Sequence, residues 1–283
     1  MRERTRLRVA AALGLVMLLT ACAPSVGGAP APGPTDGAQT AVRLPDTSGG
    51  FDYQLGGPYP PPPGVTIVER DRTAGPSGAG YDICYVNGFQ TQPDESEAFA
   101  AAHPDLVLQT STGPLVDEGW PDEYLLDTST AEKRAALAEV VGEWIDGCAA
   151  DGFAAVEIDN LDSYTRSGGA LTADDNLALA AAYAQRAHAA GLAIAQKNTA
   201  DQVSALRALG YDFAVTESCY RFEECGAYAA EYPVVLDIEY TDELGDDGFA
   251  DACDDPDRPA AMILRDHDLV TPDNAEYVYR SCK

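Results

Sequence analysis

The chain is poor in histidine and in positive charge, and both shortages narrow its chemistry. His103, His188 and His267 are the three histidines of 283 residues. None lies near another, and the cysteine spacings match no zinc site, so a Cys/His metal centre is excluded. Neither metal nor cofactor is expected. Lysine and arginine number 18 against 46 aspartates and glutamates, a net charge of -28. Phosphate binding needs the residues in short supply, which excludes nucleic acid as a partner. The same charge steers a cationic partner inward, although it also serves plain solubility. Signature loops are missing too: there is no Gly-x-Ser-x-Gly elbow, no P-loop and no Gly-x-Gly-x-x-Gly. The glycine-rich piece Gly75 to Gly80 precedes a strand, the wrong order for cradling phosphate. The glycine of an EF-hand turn is absent beside Glu157, Asp159 and Asp162.

The apolar run Val9 to Leu19 is shorter than the roughly 20 residues that span a bilayer. Arg2, Arg4, Arg6 and Arg8 precede it, the layout of an export signal. It ends in Leu19-Thr20-Ala21-Cys22, which resembles a bacterial lipobox. Residues 1–21 therefore read as a lipoprotein signal peptide and Cys22 as the lipidated residue, holding the protein on the outer face of the cell membrane. Residues 22–50 are rich in Pro, Gly, Ala, Ser and Thr without apolar period, and read as a flexible linker. Residues 51–283 are the folded domain, expected as a monomer. Hydrophobic residues make up 46% of the chain, enough for a sizeable core. Beyond Cys22 stand Cys84, Cys148, Cys219, Cys225, Cys253 and Cys282. An even set in an exported chain suggests disulfides, with many connectivities open. The preferred pairing is Cys219–Cys225, which closes a short local loop, with Cys84–Cys148 and Cys253–Cys282.

Eight segments read as strands: Phe51–Leu55, Val65–Glu69, Tyr81–Asn87, the stretch Gly152–Asp162, Leu192–Asn198, Phe213–Glu217, Pro233–Glu239 and Ala260–Arg265. Helices are expected over Asp94–Ala102, from a Ser129–Glu132 capping box to Cys148, from a Thr172 cap to Ala190, from a Thr199 cap to Gly210, and around Cys225–Ala230. Between the first two strands there is no helix signal. Alternating strands and helices imply a parallel sheet, and eight strands imply a closed (β/α)₈ barrel. Function in such a barrel collects at the strands' C-terminal ends, here Glu69, Asn87, Asp159, Lys197 with Asn198, Glu217, Glu239 and Arg265. Glu157 and Asp159 share one face of their strand. Any single strand-end acid could serve only as an ion-pair partner. Several converging ones suit glycosidic cleavage, which needs one protonated acid and one ionised nucleophile or base.

Several pieces fall in a familiar order: Asp52-Tyr53-Gln54-Leu55, Ile83-Cys84-Tyr85, Gly152 through Asp162-Ser163-Tyr164, Gln196-Lys197-Asn198, Thr216-Glu217-Ser218-Cys219 and Leu264-Arg265-Asp266. In these the chain resembles glycoside-hydrolase family 114, the endo-α-1,4-polygalactosaminidases. The resemblance implies a (β/α)₈ barrel, an α-1,4-linked galactosamine polymer as substrate, and Asp159 with Glu217 as the acid pair. The substrate-binding set read alongside is Tyr53, Tyr85, Asn87, Glu157, Asp162, Tyr164, Lys197 and Glu239. One departure is Val86-Asn87-Gly88-Phe89, where family members often carry Phe-Ser-Ala-Gly. A second reading keeps the barrel but lets it bind polysaccharide without cutting, with Tyr53, Tyr85, Trp120 and Tyr164 stacking on sugar rings.

Overall fold

The protein is described here by a computed structural model covering residues 42–282. The expected signal peptide, Cys22 and the linker up to residue 41 lie outside the described residues. Eight strands run parallel: β1 (Gly50–Gln54), β2 (Val65–Asp71), β3 (Tyr81–Asn87), β4 (Ala155–Asp159), β5 (Ala193–Lys197), β6 (Phe213–Glu217), β7 (Val235–Tyr240) and β8 (Ala261–Arg265). A ninth strand, β9 (Tyr279–Ser281), pairs antiparallel with β8.

Side chains alternate along every strand, and the alternation builds two cores. Phe51, Tyr53, Ile67, Ile83, Phe213, Val215, Leu236 and Ile238 fill the barrel interior, with Ala155, Ala193 and Ala195 as small partners for the aromatic rings. The intervening residues, among them Cys84, Val86, Val156, Ile158, Ile194 and Ala214, face outward under the helices.

The helices are α1 (Ser96–Ala102), α2 (Ala131–Asp151), α3 (Ala173–Ala189), α4 (Val203–Ala208), α5 (Cys225–Glu231) and α6 (Gly245–Asp254). Helix α2 buries Leu137, Val141, Ile145 and Cys148, spaced three and four apart, and stops at Gly152 with φ of 95°. That left-handed angle suits a residue without Cβ. Thr172 and Asp175 form the expected capping box of α3. Three helix starts differ from expectation: α1 begins at Ser96 behind a 3₁₀ turn over Pro93–Glu95, without a cap from Asp94. Thr130, not Ser129, caps α2, because the Ser129 hydroxyl donates to Asp127 instead. Thr199 turns left-handed and caps nothing.

No helix joins β1 to β2 or β2 to β3 among the described residues. Arg70 does the joining there: its guanidinium donates to Gln54 Oε1 at 2.9 Å, the Gly75 carbonyl at 2.9 Å and the Tyr59 carbonyl at 2.8 Å. Helix α6 and β9 escaped the sequence reading. The α6 sequence carries two glycines and four aspartates and buries only Phe249 and Ala252, so propensity argues against it. The end of the expected linker is also tied in. Val42 and Leu44 pack against the barrel interior, and the Tyr81 hydroxyl donates to the Arg43 carbonyl at 2.7 Å.

The three disulfides pair as preferred from sequence: Cys84–Cys148, Cys219–Cys225 and Cys253–Cys282. The barrel's seam is unusual. The hydrogen-bonded sheet runs from β1 to β8 and on to β9, and β1 does not ladder with β8. Arg265, fully buried, spans the gap. It donates to the Tyr53 carbonyl on one side and to the Val278 and Val270 carbonyls, at 2.9 and 3.2 Å, on the other. The Tyr279 hydroxyl adds a bond to the Phe51 carbonyl at 2.8 Å. The architecture is a (β/α)₈ barrel without helices after β1, β2 and, among the described residues, β8. No helix among the described residues is long and apolar enough to cross a membrane.

Candidate active site

Strands β4, β5 and β6 end at Asp159, Lys197 and Glu217, and each is followed at once by a left-handed turn. Asn160, Asn198, Thr199 and Ser218 have φ of 61°, 45°, 66° and 58°. Asparagine tolerates this region, but threonine and serine are strained in it, a cost that clusters at functional sites. The turns leave three charged strand-end side chains at the mouth of the barrel.

Lys197 is their common partner. Its ammonium lies 3.2 Å from Glu157 Oε1, 3.5 Å from Asp159 Oδ2 and 3.4 Å from Glu217 Oε2, and it donates to the Tyr53 hydroxyl at 2.8 Å. Burial alone would lower its pKa, but the Asp159, Glu157 and Glu217 carboxylates together hold it well above the usual lysine value. Asp159 also accepts from the Tyr85 hydroxyl at 2.7 Å and from the Asn160 backbone N–H at 2.6 Å. Glu217 accepts from the Tyr240 hydroxyl and from Asn198 Nδ2 at 3.1 Å. The nearest oxygens of Asp159 and Glu217 are therefore no further apart than their two distances to Lys197 combined, about 7 Å. That bound lies within the range of glycosidase acid pairs. Both carboxylates are partly open, at 19% and 30% side-chain exposure, whereas Lys197 beneath them is at 1%.

A further layer lies below. Burial pushes Glu157 up to about 7, with Lys197 opposing the rise. Beside it sits Glu69, fully buried. Burial first, then the charge of Glu157 and a carboxyl–carboxyl hydrogen bond with it, hold Glu69 well above the usual carboxylate range.

Tyr53, Tyr85, Asp162 and Lys197 line, with Asp159 and Glu217, a cleft of about 1050 Å³. Four residues of the expected binding set stand elsewhere. Glu157 is sealed beneath Lys197 at 0% exposure. Asn87 is a buried tie, donating to Glu123 at 2.8 Å and accepting from Gln90 N and Asn160 Nδ2 at 3.1 and 2.9 Å. Tyr164 packs against Leu108, Leu125 and Leu171. Glu239 accepts from the backbone N–H groups of Tyr220 and Arg221, at 2.8 and 3.3 Å, on the outer face of β7. Asp162 lines the cleft but is paired with Arg166 at 2.9 Å.

The sequence reading missed Tyr240, Asn198 as a Glu217 partner, Arg166, Asp117, Glu123 and Phe222. The signal for Tyr240 was present: Leu236 and Ile238 point inward, so the next inward position of β7 is 240, not 239. Arg166 ties the wall together, reaching Asp117 at 2.6 Å, Asp162 at 2.9 Å and Asn160 Oδ1 at 2.8 Å.

Glu123 gives the site a measurable pH dependence. Burial pushes it up to about 7; the charges of Asp159 and Asp117 add to the rise, and the Asn87 hydrogen bond opposes it. Its folded pKa exceeds its unfolded one, so its contribution to stability is fully present below about pH 4.5 and is lost as pH rises through about 7. Glu123→Gln is expected to match wild type in guanidinium unfolding at pH 4 and to exceed it by about 3 kcal/mol at pH 8. Parallel pH profiles for the two proteins would show that Glu123 does not titrate in this window.

The structure of Ega3 from Aspergillus fumigatus in complex with galactosamine aligns with a TM-score of 0.66 at 21% identity, over 87% of this chain and 100% of that one. The glycoside hydrolase domain of PelA from Pseudomonas aeruginosa aligns with a TM-score of 0.53 at 14% identity, over 81% and 96% of the two chains. At these identities the likeness speaks for the barrel itself. No curated protein sequence matches the chain. The sequence model of glycoside-hydrolase family GH114 matches residues 32–283, which takes in every strand and helix described above. This barrel glycosidase therefore belongs to glycoside-hydrolase family GH114.

Proposed function

We propose that the protein is an endo-acting glycosidase of a galactosamine-containing polysaccharide, with Asp159 and Glu217 as its acid pair. One observation carries the reading: two carboxylates from different strands converge on one buried ammonium at the floor of an open cleft. An ion pair that served stability alone would gain nothing from lying at the floor of such an open cleft. One carboxyl group would protonate the leaving oxygen and the other would act as nucleophile or base. Tyr85 and Asn160 fix the Asp159 carboxylate, and Tyr240 and Asn198 fix that of Glu217.

The substrate class rests on family membership, on the galactosamine named with the Ega3 structure, and on charge. Asp71, Asp117, Glu118, Glu123, Asp162, Glu243 and Asp268 line the cleft against Arg166, Lys197 and His267. That excess suits sugars with free amines. We place the enzyme on the outer face of the membrane, lipid-anchored through Cys22, which the mass of its acylated N-terminal peptide would verify.

The deciding experiment is incubation with partly de-N-acetylated α-1,4-galactosaminan, with new reducing ends read by mass spectrometry. Oligomers of intermediate length are the expected products. Saturable binding of the intact polymer without any product would favour the non-cutting barrel instead.

A further inference from the structure

Trp120 and Phe222 are the large aromatic side chains left in water among the described residues, at 58% and 57% exposure. Both line the cleft. Exposed aromatics gathered at one opening, rather than scattered singly, mark a surface that binds something. Trp120 comes from the insertion between β3 and α2. Phe222 comes from the loop after β6, five positions beyond Glu217.

The Phe222 loop is held more firmly than its length requires. Ser218 and Glu223 turn left-handed, with φ of 58° and 61°. The Cys219–Cys225 disulfide closes the loop. Phe222 N donates to the Ser218 carbonyl at 3.0 Å and Glu224 N to the Cys219 carbonyl at 2.8 Å. The Ser218 hydroxyl reaches Glu243.

Two fully buried acids on the outer face of β7 grip the loop from below. Asp237 Oδ1 accepts from Cys219 N at 3.3 Å and from the Thr216 hydroxyl at 2.7 Å. Glu239 Oε1 accepts from the backbone of Tyr220 and Arg221. Burying two neighbouring carboxyl groups is costly. Burial, and then Glu239, push Asp237 well above the usual carboxylate range. This expense fixes a turn whose tip shows an apolar ring to the cleft.

We propose that Phe222 is a sugar-stacking platform that binds one pyranose ring of the polymer at a subsite beside the acid pair. The inference rests on the glycosidase reading above. A galacto-configured pyranose carries its ring C–H groups at C3, C4 and C5 on one face, and that apolar face suits an aromatic ring. Arg221 holds its guanidinium 5.8 Å from the ring centroid, so the sugar's contact with Phe222 rests on its apolar face rather than on its amine. The cleft, at about 1050 Å³, stands at the upper end of the usual 300–1000 Å³ or so for small-ligand pockets. It has room for a sugar on Phe222 besides the one at Asp159 and Glu217.

The test compares wild type, Phe222→Ala and Phe222→Trp on galactosaminan chains and on the shortest oligomer that wild type cleaves. Phe222→Ala is expected to raise KM for long chains about 5- to 10-fold, with kcat near wild type and KM for the shortest oligomer unchanged. Phe222→Trp is expected to restore the long-chain KM. A wild-type KM on long chains in Phe222→Ala would overturn the platform while leaving the glycosidase reading intact. An equal loss on short and long substrates that Trp does not rescue would assign the ring a structural part only, and overturns it too. A wild type that leaves galactosaminan whole would remove the parent reading and this inference with it.

Discussion

Replacing Glu217 with glutamine, or Asp159 with asparagine, is expected to cut polymer cleavage by about a thousandfold or more. Each amide keeps the shape of the acid it replaces, and its single oxygen keeps one of the two bonds that the acid accepts on separate oxygens, from Tyr240 and Asn198 at Glu217 and from Tyr85 and Asn160 at Asp159. Glu157 and the remaining partner stay on Lys197, so the unfolding midpoint is expected to stay near that of wild type. What changes is the capacity to give or take a proton, or to attack. An aryl glycoside with a good leaving group then separates the two parts. It needs no proton donor, so the variant lacking the acid recovers turnover on it, while the variant lacking the nucleophile or base does not. Activity within tenfold of wild type in both variants would remove these two residues from the reaction.

Lys197→Met is expected to be the most damaging single change to stability. Three carboxylates share its ammonium, and one of them, Glu157, is fully buried. Removing one partner of a buried ion pair costs about 3–5 kcal/mol, because the other partner is left charged in a poor medium. The sign of the pH effect follows. With the cation gone, the folded-state pKa of Glu157, which burial raises and Lys197 holds down, rises further above its unfolded value. The deficit is therefore smaller at pH 5, where Glu157 is nearer to protonation, and larger at pH 8. Adding Glu157→Gln to the Lys197→Met background removes the most deeply buried of the stranded charges and is expected to recover part of the loss. Guanidinium unfolding at both pH values reads all three proteins. A Lys197→Met midpoint equal to wild type at pH 8 would show that the ammonium does not neutralise this cluster. Activity is expected to fall as well, since Asp159 and Glu217 both lose a fixed neighbour.

The strands were legible because each is a short apolar run bounded by turn residues, and the acid pair because it closes two such runs. What was not legible turned on parity and on layers. Glu239 follows an apolar run just as Glu217 does, but Leu236 and Ile238 face the interior, and this sends 239 outward and 240 inward. Ending β7 one residue early therefore exchanged an outer acid for the tyrosine that meets Glu217. Glu157 shares a face with Asp159 but sits one layer deeper, where Lys197 covers it. Glu69 is not the end of its strand, since β2 continues to Asp71, which reaches the cleft. The insertion between β3 and α2, which supplies Asp117, Trp120 and Glu123, has no periodic pattern to announce where its side chains land. Its order comes from contacts distant in sequence, such as Gln90 to Asp117 and Asn87 to Glu123.

The clasp at Arg265 also sets an order of events as the molecule forms. The bond that brings the barrel's two margins together joins Tyr279 to Phe51, residues separated by 228 positions. During synthesis from the N-terminus, the first strand must wait for nearly the whole domain to emerge before that bond can be made. The ring that covers Lys197 thus depends on contacts between the first and the last segments of the domain.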